Sequence, residues 1–196
     1  RFEQRVRQRS IVRLGGGFSR ERGLADDAVQ RATDCLKQFS ETIRQQQVDQ
    51  VRAVATSAVR DAANGSAFIT RVLDETGIRL QVIDGITEGS IGLAGLLAGL
   101  DHLPHQLLMF DVGGGSTEYT LARGASPLFV QSLSLGVVRL TEGKPEPTEM
   151  IEKINRELDR LQQQLDAEVA VVMGDMLQVC TAGTGTHLEG ISAGMS

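Results

Sequence analysis

The stretch "LLMFDVGGGSTEYTLARG", residues 107–124, decides how this chain is read. Its apolar run, "LLMFDV", has the continuous hydrophobicity of a strand buried on both faces. The run ends in Asp111. Three glycines follow, then Ser116, Thr117 and Glu118. Glycine after a buried strand lets backbone N–H groups come close to a ligand, because no Cβ intervenes. Such N–H groups form a nest for phosphate oxygens, and Ser116 and Thr117 can add hydroxyl donors. Asp111 ends one strand and Glu118 begins the next, so both carboxylates flank one turn. They repel each other unless a cation joins them, and hard oxygen ligands of this kind suit Mg²⁺ or Ca²⁺. The same residues also fit a plain Gly-rich hairpin with incidental acids.

Two standard phosphate loops are excluded. A P-loop needs Lys and then Ser or Thr after its last glycine, and here Ser116 follows Gly115 directly. A dinucleotide fingerprint needs a third glycine where Glu118 stands, with a helix after it.

Downstream of the turn, "STEYTLARG" reverses at Gly124 into "PLFVQSLSLG", an antiparallel continuation. "GKPEPT" reads as a loop. Residues 148–169 form the longest expected helix, with Ile151, Ile154, Leu158, Leu161 and Leu165 on one face. "LQVCTAGTGTHLEGIS" reads as a strand, a Gly/Thr turn also shaped for phosphate, and a helix.

Upstream, residues 1–14 read as an Arg-rich edge strand. Residues 24–47 place Val29, Ala32, Leu36, Phe39 and Ile43 on one helical stripe, with Asp26 and Asp27 at its positive end. "VRAVAT" is a short strand, "SAFITRVLDETG" a helix stopped by Gly77, and "RLQVID" another strand. "TEGSIGLAGLLAGL" is helical by length and apolar content, against the preference of its glycines. Strands and helices alternate, so the class is α/β.

The chain has 196 residues, 41% hydrophobic and 23% charged, with a net charge of −5. That is globular composition, and the negative balance argues against binding nucleic acid through its phosphates. Cys35 and Cys180 have no metal-like spacing, which points to a reducing compartment. The longest apolar stretch, "IGLAGLLAGL", is about half a membrane span.

Two further residues attract attention. Arg60 follows a short strand in "ATSAVRDAANG", where a guanidinium can clamp a phosphate bidentately. Taken alone it also reads as a solvated helix arginine. Glu88 in "VIDGITEGS" stands at a strand end or in a first helical turn, where a carboxylate can activate water. Taken alone it also reads as an ordinary acid near a helix start.

Five blocks, "ATSAVRDAANG", "VIDGITEGS", "FDVGGGSTE", "SLSLGVVRLTE" and "CTAGTGTHLEGI", resemble in order and spacing the Ppx/GppA family of exopolyphosphatases and guanosine pentaphosphate phosphohydrolases. The resemblance covers nearly the whole chain. It implies a ribonuclease-H-like, actin-like two-lobe fold with mixed sheets flanked by helices. Residues 1–105 would form lobe one and residues 106–196 lobe two. It implies Mg²⁺-dependent hydrolysis of a terminal phosphoanhydride in inorganic polyphosphate or pppGpp, in the cytoplasm, by a protein that can form a homodimer. By position, Glu88 matches the catalytic base, and Asp111 and Glu118 the metal-associated acids. Gly113, Gly114, Gly115 and Ser116 match a phosphate loop, and Arg60 a phosphate-binding arginine.

The chain departs from the pattern in places. Thr87 stands where the family usually carries a second acid, Ser90 where it carries Arg, and Cys180 where Gly is common. The family's Asp-x-Gly-Ser-Asn-Ser loop has no counterpart here, nor has its helical C-terminal extension. The chain is therefore expected to be an incomplete core that turns over poorly by itself. Two alternatives stay open: a sensor that binds polyphosphate or an alarmone without hydrolysis, and an ATP-binding relative of the sugar kinases.

Overall fold

The structure is a computed structural model that describes residues 4–19, 21–143, 146–168 and 176–181. Contacts divide the chain into two units, Arg1–Val82 and Ile83–Ser196. The expected α/β class holds in both.

In the first unit, α1 (Asp26–Gln45), α2 (Ser57–Arg60) and α3 (Gly65–Thr76) accompany a two-stranded parallel sheet of β1 (Ala53–Ala55) and β2 (Leu80–Val82). The stripe on α1 packs as its spacing dictates. Val29 and Ala32 join Leu24, Val59, Phe68, Val72 and Ile78 in the core, with Leu36 and Ile43 at its edge. Gly77 ends α3 at φ 72°, the left-handed cap expected of glycine. Asn64 ties two parts of this unit together. Its Oδ1 accepts from the Leu24 N–H at 2.8 Å and its Nδ2 donates to the Leu24 carbonyl at 2.9 Å.

Residues 4–14 form no strand, contrary to the expectation from sequence. A strand needs a ladder partner, and this segment spends its polar groups on α1 instead. Arg31 Nε donates to the Val12 carbonyl at 3.2 Å, and the Thr42 hydroxyl donates to Gln8 Oε1 at 3.1 Å.

The second unit is built on a four-stranded mixed sheet, ordered β5-β4-β3-β6. Its strands are β3 (Gln106–Val112), β4 (Thr117–Arg123), β5 (Ser126–Leu133) and β6 (Leu177–Thr181). β3 pairs antiparallel with β4 and parallel with β6. The β4–β5 hairpin turns at Gly124, where φ is 56°. Strand alternation sorts the faces. Leu107, Met109 and Ala122 meet α4 (Gly85–Ala98) through Leu93, Leu96 and Leu97. Leu121, Phe129 and Leu133 face the other way and pack with Ile154, Leu161 and Leu165 of α6 (Pro147–Glu168). β3 is thus covered on both sides, as its unbroken apolar run requires.

Helix α4 lies on this second sheet and belongs by contacts to the unit Ile83–Ser196. Glycines allow the close seat. A Cβ at Gly85 would stand 2.2 Å from Ser132 Cβ, and one at Gly89 would stand 2.8 Å from Val130 Cγ1. Between β5 and α6 lies a short helix, α5 (Val137–Gly143), that no periodicity announces.

Candidate active site

One row of side chains crosses the whole second sheet. Asp111 on β3 is the register partner of Glu118 on β4 and of Thr181 on β6, and Glu118 is the partner of Ser132 on β5. The row therefore reads Ser132, Glu118, Asp111, Thr181: two carboxylates flanked by two hydroxyls. It lies on the α4 face, because Asp111 alternates in step with Met109 and Glu118 with Thr120. Glu118 is 1% exposed, and the Ser132 hydroxyl donates to its Oε1 at 2.7 Å.

Burial pushes the Asp111 carboxyl above its ordinary range, and the Thr181 side chain pulls it part of the way back. Native Asp111 thus holds its proton more tightly than the unfolded chain does. Stability is then lost as pH rises from the ordinary aspartate range through the raised value. In buffer free of divalent ions, Asp111→Asn should be more stable than wild type at neutral pH, because the amide carries no charge to desolvate. The difference should vanish near the ordinary aspartate pKa. Urea unfolding at the two pH values checks this.

Glu88 lies in the first turn of α4, above the same sheet face. Asp84 caps this helix, accepting from the Thr87 N–H through Oδ1 at 2.7 Å. Glu88 is partly buried and its Oε2 is inaccessible. Its neighbour Gly89 rests on the row itself: a Cβ there would stand 3.7 Å from Glu118 Cβ and 3.0 Å from Thr120 Oγ1. The glycine contact is what brings the Glu88 turn down to the strand that carries Glu118. Ser90, in the position of the family's arginine, turns its hydroxyl onto the Ile86 carbonyl of its own helix at 2.8 Å.

The turn joining Asp111 to Glu118 is a tight one, with the Gly113 N–H donating to the Ser116 carbonyl at 2.9 Å. Its carbonyls are held from one side. Val137 N–H donates to the Gly113 carbonyl at 3.0 Å, and Arg139 N–H to the Gly114 carbonyl at 3.1 Å. Every peptide here is trans, so each N–H points opposite the carbonyl of its own plane. The Gly114 and Gly115 N–H groups are therefore aimed away from α5. That is the orientation a phosphate nest needs. Thr117 does not add a donor to it, because its hydroxyl is bonded to the Leu135 carbonyl.

The second unit carries Glu88, Asp111, Gly113, Gly114, Gly115, Ser116 and Glu118, and strand register sets Asp111 beside Glu118. Arg60 belongs to the first unit, at the C-terminus of α2, with Nε 3.5 Å from Asp61 Oδ1. The Gly/Thr turn after Thr181 and His187 lie outside the described residues.

This arrangement coincides with a match to the family model described as the Ppx/GppA phosphatase family, spanning residues 2–193. The chain belongs to the Ppx/GppA family. The Ppx/GppA enzyme of Aquifex aeolicus is 32% identical to it and superposes with a TM-score of 0.71, over 94% of this chain and 61% of that one. An exopolyphosphatase from Cytophaga hutchinsonii is 27% identical with a TM-score of 0.77, over 93% and 59%. Among curated proteins, the bifunctional 3-dehydroquinate synthase/phosphatase of Fusobacterium nucleatum is 36% identical over 135 residues. That match spans 67% of this chain and 20% of that protein. The chain thus covers about three-fifths of its solved Ppx/GppA relatives and a fifth of the curated one. The expected α/β fold with a mixed sheet flanked by helices is shared with these solved relatives.

Sequence reasoning missed two features of this Ppx/GppA site. Gly136 supports the loop from behind: a Cβ there would lie 2.2 Å from the Gly114 carbonyl oxygen. Ser132 holds Glu118. Both lie in "SLSLGVVRLTE", a block recognised for its resemblance but without a role assigned to any residue.

Proposed function

We propose that the chain carries the catalytic core of a phosphoanhydride hydrolase, releasing the terminal phosphate of inorganic polyphosphate or of pppGpp. The observation that supports this best is the juxtaposition on one sheet face of the Asp111–Glu118 row, the outward Gly114 and Gly115 N–H groups, and the Glu88 turn.

The residues fit a hard divalent cation. Among the described residues, no group of three or more His, Cys, Asp and Glu gathers in one place. Mg²⁺ does not need such a cage, since it is commonly held by one or two carboxylates plus substrate phosphates and water. Asp111 and Glu118 would hold it. When bound, it would neutralise charge on the phosphate oxygens.

The chain's own residues do the rest. The Gly114 and Gly115 N–H groups and the Ser116 hydroxyl bind the terminal phosphate and counter the charge that grows on its oxygens. Arg60, in the first unit, is proposed as a phosphate-binding residue in its own right. The Glu88 carboxylate accepts the proton of a water molecule as that oxygen attacks phosphorus. The bond from phosphorus to the bridging oxygen breaks, and the shortened chain leaves with the electron pair.

The test follows phosphate release by the full-length protein from long-chain polyphosphate, and separately from pppGpp, with Mg²⁺. Release from either supports the hydrolase and names its substrate. Binding of both without release would select the sensor instead.

A further inference from the structure

Ser132 occupies an unusual junction. Its hydroxyl donates to Glu118 Oε1 at 2.7 Å, and its Cβ lies under Gly85, where a methyl group would stand 2.2 Å away. It is the register partner of Glu118, so the contact is set by the β4–β5 ladder and not by a chance rotamer. Glu118 itself is almost wholly buried. Burying an acid costs stability unless its lone pairs are engaged. The Ser132 hydroxyl therefore fixes the Glu118 carboxylate rotamer beside Asp111, the register partner of Glu118 on the other side.

We infer that Ser132 is a positioning residue for the cation pair: its hydroxyl orients the Glu118 carboxylate so that Asp111 and Glu118 present oxygens to one divalent ion. This rests on the hydrolase reading above. Partners of metal ligands work in this way, fixing the orientation and basicity of the ligand they touch. Thr181 stands in the matching place beside Asp111 at the other end of the row. Ser132 also links the row to the first turn of α4, so the orientation of Glu118 and the seating of the Glu88 turn share one contact.

The experiment measures Mn²⁺ binding by electron paramagnetic resonance, without substrate, in the full-length protein. Wild type, Glu118→Gln, Ser132→Ala and Thr120→Val are compared, with thermal unfolding to check that each folds. Thr120 is the control. It is buried on the same face, two residues from Glu118, and its hydroxyl has no partner among the described residues. The expected result is loss of binding in Glu118→Gln, affinity weakened about tenfold in Ser132→Ala, and wild-type affinity in Thr120→Val. Equal binding by wild type and Ser132→Ala, with Glu118→Gln still defective, overturns the inference and leaves the hydrolase reading standing. Equal weakening in Thr120→Val and Ser132→Ala reduces Ser132 to packing and also overturns it. Binding that survives Glu118→Gln, or its absence in wild type, overturns both the inference and the assignment of the metal pair.

Discussion

Glu88→Gln should reduce phosphate release by about 10²- to 10⁴-fold, the contribution of a positioned general base, while leaving substrate binding near its wild-type strength. The substitution preserves shape and removes only the ability to accept a proton. It leaves the Asp84 cap and the glycine contacts of α4 untouched, because those are made by other residues of the helix. Phosphate release and equilibrium binding of polyphosphate would be measured side by side. A fall in both would mean that Glu88 supports the structure of the site rather than the chemistry. A variant retaining more than about a tenth of the wild-type rate would place the base elsewhere, given the size of such effects.

Gly136→Ala should damage stability and activity together. Its new methyl carbon would lie 2.2 Å from the Gly114 oxygen, 2.3 Å from the Gly114 carbonyl carbon and 2.3 Å from the Gly115 nitrogen. All three are backbone atoms, so no side chain can swing away. Either the loop moves or α5 loses its bonds to the Gly113 and Gly114 carbonyls. Overpacking of this kind costs about 1–3 kcal/mol. A displacement of the loop N–H groups by about an ångström can cost about a hundredfold in rate. Gly95→Ala supplies the contrast within the same chain. Beyond its chain neighbours and its own helix backbone, no atom stands within 4 Å of its added methyl, and it lies inside α4. It should stabilise the protein by up to about 1 kcal/mol, the helix preference of alanine over glycine. Denaturant midpoints and phosphate release for the two variants check both statements. A neutral Gly136→Ala would contradict the close packing of loop against α5.

The strands of the second sheet were legible because burial writes itself into sequence. "LLMFDV" has no polar interruption, and Gly124 marks the hairpin. The stripe on α1 was legible for the same reason. α5 was not, since seven residues with none buried leave no periodic trace. Residues 4–14 misled, because a strand-like, Arg-rich segment forms a strand only when a neighbour exists to pair with it. At the site, the acids and glycines could be named from type and order. What could not be read was register. That Asp111, Glu118, Ser132 and Thr181 fall in one row depends on four strands meeting at a particular offset, and no local pattern encodes it. The role of Gly136 was hidden in the same way, since it depends on a loop twenty residues earlier.

The glycines of α4 have a consequence for the order in which this protein acquires its shape. Gly85, Gly89, Gly92 and Gly95 together weaken the free helix by roughly 4 kcal/mol relative to alanine. A segment of 14 residues is marginal even without that handicap. It coils once a sheet offers Ser132, Thr120, Val130 and Met109 to lie against. Yet α4 precedes all of those residues in the chain. During synthesis it leaves the ribosome first and must wait, uncoiled, until residue 133 has followed. The turn that carries Glu88 is therefore expected to take form only after β3, β4 and β5 have assembled.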